Sequence, residues 1–100
     1  MGCKIIFSPQ AIADLEAAVR FIARENPEAA ARIGNALVDR VAILDNFPLL
    51  GSLYPKRPGV RKLVFRPHII FYRFREHDNS VDILRYWHGA QCEPDLNSLE

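Results

Sequence analysis

No apolar run in this chain approaches the roughly 20 residues that a membrane-spanning helix needs. Its start also lacks the charged-then-apolar pattern of a secretory leader, so no membrane association is expected. Cysteine is scarce. Cys3 and Cys92 lie near opposite ends, with neither metal-ligand spacing nor a disulfide framework between them. A Cys3–Cys92 bridge would require the termini to meet, and a reduced cytoplasmic protein without metal or cofactor is the plainer expectation. Charge of one sign is lacking too: 13 lysines and arginines face 12 aspartates and glutamates, for a net charge of +1. That balance weighs against a dedicated nucleic-acid binder, which usually carries a clear basic excess. There is no internal repeat and no low-complexity tract. The Met1-Gly2 and Leu99-Glu100 ends resemble cloning-site residues and carry no functional argument.

What is present suits one globular domain over residues 1–100, with 49% apolar residues to build a core. The core is expected over 4–90, with a loose tail at 91–100. Lys4-Ile5-Ile6-Phe7 reads as a short strand stopped by Ser8-Pro9, a capping oxygen followed by a residue suited to the first helical position. Ile12, Leu15, Val19 and Ile22 then recur at helical spacing. Phe21 falls outside this stripe, at a helix edge or against a partner. The spacing predicts a helix over Pro9–Glu25. Asn26-Pro27 ends it and starts a second over Pro27–Asn46, with the stripe Ala30, Ile33, Leu37, Val41 and Leu44. Two helices with so short a link must fold back as a hairpin. From Pro48 to Gly59 the three prolines and two glycines mark a loop.

The richest stretch follows, from Val60 to Gly89. It reads as three strands, Val60–Arg66, His68–Arg75 and Val81–Trp87, dense in β-branched and aromatic residues. The order β-α-α-β-β-β gives an α+β layer, a helical hairpin packed on a mostly antiparallel sheet. Alternation places Leu63, Phe65, Ile70, Tyr72, Phe74, Leu84 and Tyr86 toward the helices. The opposite parity holds Lys62, Val64, Arg66, Ile69, Phe71, Arg73, Arg75, Ile83, Arg85 and Trp87. A monomer exposing Val64, Ile69, Phe71, Ile83 and Trp87 would carry a larger apolar patch than solubility favours, so a partner or a second copy is expected over that face. Arginine recurs along the strands at Arg61, Arg66, Arg73, Arg75 and Arg85. Residues 56–75 hold seven cations and no acid, a local basic patch on a neutral chain.

These pieces in this order resemble the ParE/RelE superfamily of toxins from type II toxin–antitoxin modules. The resemblance rests on the proline-punctuated hairpin, the Pro-Leu-Leu-Gly loop at 48–51, and Arg-Pro-Gly-Val-Arg-Lys-Leu-Val at 57–64. Ile-Ile-Phe-Tyr-Arg at 69–73 and Val-Asp-Ile-Leu-Arg-Tyr-Trp-His-Gly-Ala at 81–90 complete it. It covers residues 4 to 90 and is closer to the ParE branch, the plasmid-stabilisation-like proteins. It implies a small cytoplasmic toxin neutralised by a cognate antitoxin, which would cover Val64, Ile69, Phe71 and Ile83. ParE members act on DNA gyrase, and RelE members cut mRNA on the ribosome.

Each mechanism makes its own demands. Metal-free RNA cleavage needs a base, an acid and cations around the phosphate. Arg61, Arg66, Arg73, Arg85, Tyr86 and His88 are the candidates, with Tyr86 or Trp87 for base stacking. His68 and His77 are expected to be solvated. The acidic tail Glu93-Pro94-Asp95-Leu96 does not suit a phosphate site, and Arg73 and Arg75 have nearby partners in Glu76, Asp78 and Asp82. The favoured reading is therefore a non-enzymatic toxin that binds DNA gyrase through Arg73, Arg85 and Trp87, a guanidinium-and-aromatic set typical of interface hot spots. The alternatives are a ribosome-dependent mRNA endoribonuclease and an inactive relative serving only as an antitoxin-binding module.

Overall fold

A computed structural model of the chain describes residues 2–88. The expectations for Cys92 and for the tail at 91–100 lie outside them. Strand β1 (Lys4–Phe7) leads into helix α1 (Pro9–Ala23), helix α2 (Pro27–Ala42) and a 3-10 turn (Ile43–Asp45). A two-residue strand β2 (Ser52–Leu53) precedes β3 (Val60–Phe65), β4 (His68–Arg75) and β5 (Ser80–His88). The sheet order is β1-β5-β4-β3-β2, parallel at β1–β5 and antiparallel elsewhere.

Both helices begin where the sequence places them. Ser8 Oγ accepts from the Ala11 N–H at 3.0 Å and Asn26 Oδ1 from the Ala29 N–H at 3.0 Å, and each cap is followed by proline at the first helical position. The second helix ends at Ala42, tightening into the 3-10 turn before Asn46. Between the helices the approach is close. A Cβ on Gly34 would come within 2.9 Å of Val19 Cγ2, so glycine lets the two backbones meet there.

Leu37, Val41 and Leu44 from the hairpin side bury themselves against Leu63, Ile70, Tyr72, Val81, Ile83 and Tyr86 of the sheet. The expected α2 stripe is thus the one that packs. On α1 the stripe is rotated: Ala11 is fully buried, whereas Ile12 is exposed. The reason lies at the β5 edge. The Ser8 N–H donates to Ile83 O and Ser8 Oγ to Leu84 O, both at 3.0 Å, holding the first helical turn so near the strand that a methyl group fills the gap.

One irregularity resets the faces. Phe71 pairs with Arg85 but Tyr72 pairs with Ile83, so Leu84 is an extra residue on β5, a β-bulge. Strict alternation put Leu84 toward the helices and Ile83 on the open face. The bulge exchanges them: Ile83 is buried with the hairpin, and Leu84 packs on the other side. Phe71 does lie on the open face, yet Tyr54 covers it edge-on at 5.1 Å, within a small cluster that includes Val60 and Leu84. Neither Ile83 nor Phe71 is therefore an accessible antitoxin contact.

Candidate functional site

Where the hairpin stands away from the β3–β4 turn and the end of β5, a cleft of about 870 Å³ opens. That volume lies within the range of ligand-binding sites. Its helical wall includes Asp14, Ala18, Phe21, Ile33 and Ala36; its sheet wall includes Phe65, Arg66, His68, Tyr86, Trp87 and His88. Phe21, the aromatic outside the α1 stripe, is exposed at its lip.

A four-residue node stands at this cleft. Strand β1 pairs with β5 only as far as Ile83, so among the described residues no strand neighbours the outer edge of β5 beyond that point. Asp14 of α1 fills the place of one: its Oδ2 accepts from the Tyr86 N–H at 3.1 Å. The same carboxylate takes a bidentate pair from Arg85, Nε to Oδ2 at 2.6 Å and Nη2 to Oδ1 at 2.8 Å. Paired forks of this kind are the strong form of the ion pair, and both side chains are largely buried. The Arg85 guanidinium also lies over the Trp87 ring, 4.7 Å from its centroid, a cation–π contact. The sequence reading placed Arg85 and Trp87 together, and they are together. It left Arg85 free to reach a target, whereas its Nε and one Nη2 hydrogen are given to Asp14.

Asp14 itself was missed. It sits three residues from Ala11, hence on the same helix face, but its partner Arg85 lies 71 residues away, and no local pattern in the sequence marks the pair.

The nuclease candidates do not converge. Arg61 turns away from the cleft, Nη1 donating to Gly51 O at 2.7 Å in the loop before β2. Tyr86 is buried, its hydroxyl donates to Leu37 O at 3.2 Å, and burial pushes its pKa well above the ordinary tyrosine value. Arg73 lies across from Asp82 on the open face. Only Arg66 and His88 remain at the cleft with potential for such chemistry, and Arg66 is exposed at the β3–β4 turn. Arg75 is held by Asp82 (Nε to Oδ2 3.0 Å) and Asp78 (Nη1 to Oδ2 3.2 Å), the partners the sequence offered.

His68 corrects another expectation. It is buried, directly across from His88, with the two rings edge-to-face at 5.6 Å. Burial, and secondarily the charge of His88, lowers its pKa below the usual histidine value. His77 is exposed, as expected, near Asp78. Of the apolar residues assigned to a partner, Val64 is exposed and Ile69 half-buried, so the open face offers less apolar surface than alternation implied. Among the described residues no group of three or more metal-ligating side chains gathers, and no helix is long and apolar enough to cross a membrane.

Comparison with known proteins follows the same lines. The family model for the ParE toxin of type II toxin–antitoxin systems, parDE, matches residues 5–92. Among solved structures the chain is similar to one from the chromosomal ParDE toxin–antitoxin system of P. aeruginosa. There the identity is 26%, the TM-score 0.75, and the match covers 86% of this chain and 95% of that one. It shares its fold with a chain of the RelBE2 toxin–antitoxin complex from Mycobacterium tuberculosis, at 24% identity and TM-score 0.67, covering 88% of this chain and 99% of that one. No match was found among curated proteins.

Proposed function

The chain belongs to the ParE toxin family of type II toxin–antitoxin systems, and from that premise we propose that it arrests growth in the cytoplasm by binding DNA gyrase, without cutting RNA. The commitment of the arginines carries this reading. A phosphate clamp needs guanidinium donors free to meet the transition state. Arg85 gives its Nε and Nη2 to Asp14, Arg61 gives Nη1 to Gly51 O, and the Tyr86 hydroxyl donates to Leu37 O. Three of the six side chains a nuclease would use thus serve the scaffold. Recognition falls instead to the open face around Arg73 and Trp87. Arg85 acts there as a positioning residue that stiffens Trp87 through the stack. A rigid aromatic with a cation beside it is what protein interfaces use as an anchor.

The antitoxin partner follows from the same family. Its inhibitory segment would lay an amphipathic helix into the cleft between hairpin and sheet, against Phe21, Ile33 and Phe65.

Supercoiling of relaxed plasmid by purified gyrase tests the proposal. The wild-type chain should inhibit it and the Trp87→Ala chain should not, while ribosome-bound mRNA stays intact with either. Cleavage of that mRNA, with gyrase unaffected, would establish the nuclease reading.

A further inference from the structure

At the far edge of the sheet, the loop from Phe47 to Leu53 displays Phe47, Leu49, Leu50 and Leu53 to water, each between 49% and 61% exposed. Loose loops often show such side chains in passing. This loop is fastened. The buried Tyr72 hydroxyl donates to Pro48 O and accepts from the Gly51 N–H, both at 2.8 Å. Arg61 Nη1 donates to Gly51 O at 2.7 Å and reaches Leu49 O at 3.4 Å. Gly51 is pressed so closely onto β3 that a Cβ would stand 2.6 Å from Lys62 O and 2.8 Å from the Tyr72 ring. The fold therefore spends a buried tyrosine, an arginine and an obligatory glycine on holding four apolar side chains in solvent. Preorganisation of this kind lowers the cost of binding a partner.

Two features describe what would fit. Strand β2 ends the sheet order, so among the described residues the sheet's pairing stops at Ser52–Leu53, and an extended segment could continue it. The surroundings are basic: Lys56, Arg57, Arg61 and Lys62 belong to the stretch 46–75, which contains no acid. We propose that the Phe47–Leu53 loop and the edge of β2 form a docking surface for an acidic, leucine-bearing, extended segment of another protein. A second copy of this chain fits poorly, because a twofold pairing would bring this basic edge against itself. Nucleic acid fits poorly as well, since its interfaces are polar and strongly charged and would leave the leucines unused. None of these residues lines the cleft, so this surface is separate from the proposed antitoxin groove, and it includes neither Arg73 nor Trp87, on which the gyrase reading rests.

Titration of the isotope-labelled chain with a synthetic heptapeptide of alternating glutamate and leucine, followed by amide NMR shifts, tests the proposal. Saturable shifts should centre on residues 49–62 and weaken markedly with added salt. Leu53→Ser and Lys62→Glu should each weaken binding by at least about fivefold, a contact-sized effect, in spectra that also report an intact fold. The proposal is overturned by any of four results: no shifts at millimolar peptide, shifts that map to the cleft, equal binding of a serine–leucine peptide, or tighter binding of a DNA duplex at the same residues. Concentration-dependent shifts of the same residues without peptide would assign the surface to a second copy instead.

Discussion

The two faces of the sheet are built on different terms. The helix-facing side is closed by the hairpin, with Leu37, Val41, Leu44, Ile70, Tyr72, Val81 and Ile83 essentially inaccessible. Among the described residues the open side has a small cluster under Tyr54, and beside it stand Lys62, Val64, Ile69, Arg73 and Trp87. One face holds the molecule together; the other keeps its large and charged side chains within reach of a partner. Stability and function should therefore separate on mutation.

The strongest contrast is between a leucine of the closed face and an isoleucine of the open one. Leu37→Ala should lower the unfolding free energy by about 2–5 kcal/mol, the range for truncating a buried leucine. Ile69→Ala should cost about 1 kcal/mol, as is usual for single substitutions. Urea denaturation of both variants measures the difference, and equal midpoints would erase the distinction between the faces.

Next comes the strut between them. Arg85→Ala removes the bidentate partner of Asp14 and leaves a largely buried carboxylate with the Tyr86 N–H. The expected loss is about 2 kcal/mol, on the scale of a hydrogen bond to a charged group plus the stranded acid. Arg85→Lys should recover little, because an ammonium cannot reproduce the fork or the stack. Full recovery in the lysine variant would reduce the node to a simple charge pair.

A smaller effect follows from pH. The folded chain keeps His68 below its ordinary pKa, so the unfolded chain binds a proton first as pH falls. Stability is full above the unfolded value of about 6.5 and declines as pH drops beneath it. That part of the decline should disappear in His68→Gln, as thermal unfolding at a series of pH values would show. The smallest effect belongs to the open face's own charge: Lys62→Glu should change stability by under about 0.5 kcal/mol. A larger loss would mean the lysine belongs to the scaffold.

Much of this architecture was legible from the chain. Ser8-Pro9 and Asn26-Pro27 announce the helix starts because capping and proline geometry act within a few residues. The stripe from Ala30 to Leu44 predicts the packed face of α2. What escaped were features set by contacts between distant segments. The bulge at Leu84 depends on β4–β5 register, and it reverses the faces of Ile83 and Leu84 in a strand whose residues suit either side. Ala11 displaces Ile12 because Ser8 is tied to β5, far away in sequence. The same holds at the site. Arg85 and Trp87 could be put side by side by parity, but the carboxylate that takes up Arg85 comes from α1. His68, which reads as a turn residue beside Pro67, is a paired strand residue set against His88, twenty residues further along the chain.

Comparison of growth arrest on expression of Trp87→Ala and His88→Gln, at matched protein levels, tests the central claim most directly. Trp87 packs against the open-face cluster as well as reaching the cleft wall, whereas His88 stands across from His68 at the cleft and is the remaining candidate for proton transfer. Recognition through the open face predicts that Trp87→Ala relieves the arrest while His88→Gln leaves most of it in place. Loss of arrest in His88→Gln, with Trp87→Ala still toxic, would contradict the account and make the cleft a catalytic centre.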